Sequence, residues 1–188
     1  MALWHDGMPA VQWGVVIGAS LAAAVSDVTC RRIPNRLTGP LLAGGLAWAG
    51  CVAGWPGLLD ACAACAMLAA PYVLLFLIAG GGAGDAKLMG AIGAWVGVVA
   101  GIVVLAAVAV SGILLAAAFA LARKRLRPAL ANIAGVAFGL GLIIAGRGKL
   151  ADGRAVLPPV ENMQKIPYGV AILLGVCVGA AGILIWRA

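Results

Sequence analysis

Residues 88–122 read LMGAIGAWVGVVAGIVVLAAVAVSGILLAAAFALA, 35 positions without an Asp, Glu, Lys or Arg. A helix rises about 1.5 Å per residue and the hydrocarbon core of a bilayer is about 30 Å thick, so one crossing takes about 20 apolar residues. The run is too long for one ordinary span and slightly short for two. Its glycines offer a way out: the pattern predicts a short helix from about 85 to 95, a tight glycine-containing bend, and a longer helix to 122. Backbone polar groups in lipid must be satisfied within the segment, which favours helices.

Working outward, further charge-free runs lie at 9–26, 37–59, 61–83, 128–146 and 166–186, with a turn expected at Trp55-Pro56-Gly57. The composition agrees: 64% of residues are hydrophobic, 10% are charged, and the mean hydropathy is +1.12. Soluble domains carry about a quarter charged residues. The expected fold class is therefore all-α, a polytopic membrane helix bundle forming a single domain over 1–188, with about six transmembrane helices and one further interfacial or re-entrant apolar segment.

The segment 128–146 is apolar enough to span, and charge bias decides against it. With six spans and the N-terminus outside, twelve bases face inward: Arg31, Arg32, Arg36, Lys87, Arg123, Lys124, Arg125, Arg127, Arg147, Lys149, Arg154 and Lys165, against Arg187 alone outside. If 128–146 crossed, the split would fall to nine against four, and cytoplasmic loops are where Lys and Arg collect. The net charge of +7 is read the same way, with the lipid bilayer as partner. Nucleic acid is not expected, because no soluble surface remains to carry a basic groove.

The first run ends Ala22-Ala23-Ala24-Val25-Ser26, a pattern like a signal-peptide cleavage site, but His5 and Asp6 precede it rather than a basic flank. A retained first span is expected. Cys62-Ala-Ala-Cys65 has the C-x-x-C spacing, yet it sits in an apolar run with no second pair, and the chain's one histidine is His5. These cysteines read as small packing residues, with no metal or other cofactor expected. Small residues four apart, such as Gly90 with Ala94 and Gly135 with Gly139, suit close helix approach in lipid.

Six acids remain to be placed. Asp6, Asp60, Asp152 and Glu161 fall in expected loops and read as solvated charges. Asp27 and Asp85 instead sit at the inner ends of spans, where a carboxylate is partly desolvated and costly. Each has a structural reading, Asp27 pairing with Arg31 and Asp85 with Lys87 or Arg32. Each also has a functional one. The first span runs inward to Asp27 and the fourth opens at Asp85, so the bundle brings both to one depth. Gly80 to Gly84 free the backbone before Asp85, and Ile33-Pro34-Asn35 ends the helix that carries Asp27. Two carboxylates at close range share one proton, so one serves as general base on water and the other as general acid on a carbonyl. No G-x-S-x-G, H-E-x-x-H or P-loop pattern competes.

At these residues the sequence resembles the type IV prepilin peptidases, including the archaeal preflagellin peptidases. The matching stretches are Asp27 with Arg32-Ile33-Pro34-Asn35, then Gly82-Ala83-Gly84-Asp85-Ala86-Lys87-Leu88, then Ile166-Pro167-Tyr168-Gly169. The resemblance implies an aspartic endopeptidase of the bacterial inner membrane that cuts the short basic leader from prepilin or pilin-like precursors at the cytoplasmic face. It implies Asp27 and Asp85 as catalytic pair, Gly82 and Gly84 shaping the approach to Asp85, Lys87 setting local electrostatics, and Pro34, Asn35, Pro167 and Tyr168 as wall residues. Many bacterial members carry an extra cytoplasmic domain with two C-x-x-C pairs and pilin N-methylation activity. Here residue 37 opens a span directly after the turn, so the chain resembles the compact, peptidase-only type of Flp or tight-adherence pilus systems.

Two rivals stand beside this. Presenilin-type proteases place Tyr before the first Asp and use a Pro-Ala-Leu motif, whereas Ser26 precedes Asp27 here and no such tripeptide occurs. A small transporter or non-catalytic membrane component would use the two acids as a proton or cation site and would show internal repeats with matching broken helices, which the sequence does not convincingly display.

Overall fold

The computed structural model describes residues 10–79, 82–122, 150–151, 154–155 and 168–187. They form helices α1 (Ala10–Cys30), α2 (Asn35–Ala79), α3 (Ala83–Ala122) and α4 (Tyr168–Arg187). Between α3 and α4 lies a small antiparallel ribbon of β1 (Leu150–Ala151) and β2 (Arg154–Ala155), pairing Leu150 with Ala155 and Ala151 with Arg154. All four helices are long and apolar enough to cross a membrane, and the chain is an all-α membrane protein. The expected segment 128–146 lies outside the described residues.

Helix α1 buries Gln12, Trp13, Val16, Ser20, Ala23 and Ala24, residues three or four apart on one face. Leu21, Val25 and Val28 on the other side are exposed, as suits a lipid-facing surface. Its end is built from an unusual residue. Arg31 takes a left-handed conformation at φ 52°, and its N–H donates to the Asp27 carbonyl at 2.9 Å. That is the left-handed helix cap usually given to glycine. The Ser26 hydroxyl donates to the Arg32 carbonyl at 2.8 Å, tying the reversed chain back to the helix. Pro34 then blocks continuation, and its carbonyl accepts from Leu37 N–H at 3.0 Å to start α2.

Helices α2 and α3 are 45 and 40 residues long, each about twice what one crossing takes. One glycine interrupts each: Gly54 at φ 63°, ψ −149°, and Gly97 at φ 72°, ψ 178°. Only glycine reaches such dihedrals without strain. The bend expected in 88–122 thus falls at Gly97. The turn expected at Trp55-Pro56-Gly57 falls at Gly54 instead, and those three residues are helical, with Pro56 in the first turn after the break. A proline is tolerated there because its missing N–H would have no helical partner.

Contacts show which way the halves run. The Trp95 indole N–H donates to the Leu41 carbonyl at 2.7 Å, and a Cβ on Gly84 would meet Ile33 at 3.1 Å. Residue numbers rise together, so 35–53 and 83–96 run the same way. Gly93 abuts Ala64 and Gly90 abuts Cys65 and Ala69, so 55–79 runs opposite to 83–96. The chain direction therefore reverses at Gly54. Helix α4 packs on the far half of α3, Gly175 against Val108 and Gly179 against Val104.

Asp60 overturns its expected place as a solvated loop charge. It is helical and half-buried, and its Oδ2 accepts from Val98 N–H at 3.3 Å. Val98 is the first residue after the Gly97 break, so its N–H is one of the donors a new helix leaves without an internal partner. The expectation also fails for Cys62, which is exposed rather than packed, while Cys65 is partly buried beside Gly90. The core lies between the helices, on Leu68, Leu88, Met89, Ile92, Val104 and Ile172, all fully buried.

Candidate active site

Asp27 lies three residues before the end of α1, and Asp85 in the first turn of α3. Both are partly buried, and both lie toward the end of the bundle where Ile33, in the turn after α1, packs on Gly84. Asp27 reaches the start of α4: its Oδ2 accepts from Gly169 N–H at 2.8 Å. That N–H lies in the first turn of α4, where the helix dipole presents its positive end to a carboxylate. The approach requires glycine, since a Cβ on Gly169 would fall 3.0 Å from Asp27 Cβ and 3.2 Å from Ala24 Cα.

Asp85 is set by the glycines before it. Its N–H donates to the Gly82 carbonyl at 3.1 Å, and its carboxylate folds back over Gly82, with Oδ2 2.8 Å from where a Cβ would stand. Gly84 leaves room for the Ile33 side chain. Asn35 does not cap α2 with its side chain. Its Oδ1 accepts from Lys87 Nζ at 3.0 Å, which joins the turn after Asp27 to the helix of Asp85. Lys87 thus has a neutral partner in Asn35, and Arg31 meets Asp27 through its backbone.

Tyr168 stands at the start of α4 and meets Tyr72 of α2 edge to face, ring centroids 6.0 Å apart at 68°. Pro34 is exposed in the turn before α2, and Pro167 lies outside the described residues. So the structure gathers Asp27, Asp85, Gly82, Gly84, Lys87, Asn35 and Tyr168 at one end of the bundle. Two members were not singled out from sequence, the Gly169 N–H and Tyr72. Gly169 closes the quoted Ile166-Pro167-Tyr168-Gly169 stretch, but a backbone donor leaves no side-chain signature. Tyr72 sits in an apolar run with no motif around it. An open apolar pocket of about 250 Å³ lies beside Asp27, lined by Ala24, Val25, Val28, Thr29 and Val170. Among the described residues, no group of three or more His, Cys, Asp or Glu is placed to hold a metal ion.

The described residues define a bundle of helices long and apolar enough to cross a membrane, with two carboxylates toward one end. The model of the type IV leader peptidase family matches residues 14–117. That is more than half of the 188 residues and includes both aspartates, and the chain belongs to this family. The match ends before α4, and Tyr168 and Gly169 join the site through their contacts with Tyr72 and Asp27. No curated protein and no solved structure gives a match.

Proposed function

We propose that the protein is an aspartic endopeptidase of the bacterial inner membrane that removes the short basic leader of type IV pilin-like precursors at the cytoplasmic face. The observation that carries this reading is the placement of Asp27 near the end of α1 and Asp85 in the first turn of α3, toward one end of the bundle and inside the segment matched to a leader peptidase family. The reversal at Gly54 and the break at Gly97 support six crossings, with α1 running inward from an outside N-terminus. Asp27, Asp85 and Tyr168 then share the cytoplasmic depth. A precursor whose apolar helix lies in the bilayer presents its scissile bond at that depth, and the apolar pocket beside Asp27 offers a seat for the residues next to it.

The chemistry is water attack. Asp27 takes the role of base, because its Oδ2 accepts the Gly169 N–H, a partner that suits a carboxylate oxygen rather than a carboxyl O–H. Asp27 removes a proton from water as the water oxygen bonds to the scissile carbonyl carbon. Asp85 gives its proton to the carbonyl oxygen, leaving a gem-diol. Asp27 then passes its proton to the departing amine as the C–N bond breaks, and Asp85 takes one from a diol hydroxyl. Both acids return to their starting states. Gly82, Gly84, Asn35, Lys87 and Pro34 hold the two acid-bearing segments in register, and Tyr168 stands in the facing wall.

The test is to incubate membranes containing the protein with a leader-bearing pilin precursor and measure product mass. A single cut at the leader boundary is expected. Precursor left intact, or cut within its transmembrane helix, would sink the reading.

A further inference from the structure

The first turn of α4 touches the other three helices, and one side chain ties it to two of them. Tyr168 is half-buried at the opening of the helix, and Gly169 beside it is buried. The Tyr168 ring meets Tyr72 of α2 edge to face, centroids 6.0 Å apart at 68°. Its tip also reaches α3: a Cβ on Gly112 would stand 2.5 Å from the hydroxyl oxygen and 3.0 Å from Cζ, so it fits only against bare backbone. The next residue turns to α1, where the Gly169 N–H donates to Asp27 Oδ2 at 2.8 Å. A Cβ on Gly169 would meet Ala24 Cα at 3.2 Å, so α1 and α4 meet backbone to backbone at this level. Helix ends fray, and the first N–H groups of a helix have no partner within it to hold them. The contacts of Gly175 with Val108 and Gly179 with Val104 hold α4 on α3, but they lie more than a turn further along. The direction of the Gly169 N–H therefore depends on how its neighbour Tyr168 is anchored.

We propose that Tyr168 is a positioning residue for Asp27: seated against Tyr72 and Gly112, it fixes the first turn of α4 so that the Gly169 N–H holds one carboxylate oxygen and leaves the other to take the proton from water. The proposal rests on the two-aspartate reading and gives a part in the chemistry to α4, which lies beyond the segment matched to the family. With Oδ2 held, the carboxylate does not turn about its Cβ–Cγ bond, and Oδ1 keeps one direction. About 1 Å of misplacement at a reacting group costs about a hundredfold. Size can also be traded within this socket. A methyl group at 112 and the hydroxyl at 168 compete for one place, so removing the hydroxyl makes room for the methyl.

The experiment uses the full-length protein in lipid nanodiscs and follows both precursor cleavage and the Gly169 amide by NMR. Tyr168-Gly169 is the one Tyr-Gly pair in the sequence, so labelling tyrosine carbonyls and glycine nitrogens together isolates that amide among 28 glycines. Gly112→Ala and Tyr72→Leu disturb the socket from two sides and leave the labelled pair intact. Each is expected to move the amide proton upfield, out of its bond to the carboxylate, and to lower kcat by at least about tenfold. KM should change by less than about twofold, since the loss falls on orientation of the base rather than on binding. Adding Tyr168→Phe to Gly112→Ala removes the oxygen that the new methyl meets and should recover most of the lost kcat. An unmoved amide signal in both socket variants overturns the proposal, as does a loss of kcat that Tyr168→Phe does not relieve. A rise in KM that accounts for the loss also overturns it, because Tyr168 would then act on the substrate. Retained cleavage by Asp27→Asn would overturn the two-aspartate reading itself, and the amide signal, which needs no cleavage, tells the two failures apart.

Discussion

At residue 82 a methyl group would stand 2.8 Å from Asp85 Oδ2, closer than carbon and oxygen tolerate. Gly82→Ala therefore swings the Asp85 carboxyl away from its partner, and a misplacement of about 1 Å at a reacting group costs about a hundredfold. We expect kcat to fall by about that factor while the protein still reaches the membrane at normal level, measured by cleavage rate per inserted protein. Normal kcat in this variant would show that the carboxyl has other room to work. The pH dependence belongs to the same scale. In the proposed dyad the two acids share one proton: at low pH both are protonated and no base remains, and at high pH both are ionised and no acid remains. A bell-shaped kcat profile is expected, and a profile with a single limb would contradict proton sharing. Most of this geometry was legible in sequence, because an acid at a helix end and a glycine run before it are chemical signals in themselves. Tyr72 was not legible. It meets Tyr168 across the fold, and nothing in its own neighbourhood marks it.

The helices show the same divide between local and long-range information. The bend in 88–122 was legible because 35 apolar residues exceed one crossing, and it falls at Gly97. The break in α2 falls at Gly54 rather than at Trp55-Pro56-Gly57, because Pro56 starts a helix as readily as it ends one. Asp60 was misplaced for a different reason. Its partner, the Val98 N–H, is 38 residues away, and no pattern near Asp60 reveals that a helix will begin beside it. Asp60→Ala removes that bond, and loss of a helix cap costs about 1 kcal/mol. The expected result is a lower unfolding midpoint in detergent with kcat unchanged, since the acid lies far along α2 from Tyr72 and the site. A large loss of kcat without loss of stability would instead give Asp60 a part in the chemistry. Gly97→Ala puts a side chain at φ 72°, ψ 178°, a strain of about 1–3 kcal/mol, and should destabilise in the same assay. An unchanged midpoint would mean the break can be moved along α3.

Among the described residues, the breaks at Gly54 and Gly97 fold four long helical stretches into a bundle whose two acids lie toward one end. In the proposed reading that end faces the cytoplasm, because six spans would put twelve bases on that side against one outside. Impermeant maleimide tests it on exposed positions at the two ends. Cys30, three residues beyond Asp27, should react only from the cytoplasmic side. A Trp55→Cys variant without the other cysteines should react from outside, since Trp55 is 70% exposed just past the Gly54 reversal. The opposite sidedness would place the acids on the wrong face for a basic leader. The proposed peptidase activity requires Asp27 and Asp85 to act as one unit. The most direct measurement is precursor cleavage by Asp27→Asn, Asp85→Asn and the double variant, each normalised to inserted protein. We predict that each single change lowers the rate by about a thousandfold or more and that the double variant is no worse. Substantial cleavage by either single variant, or losses that multiply in the double, would contradict it.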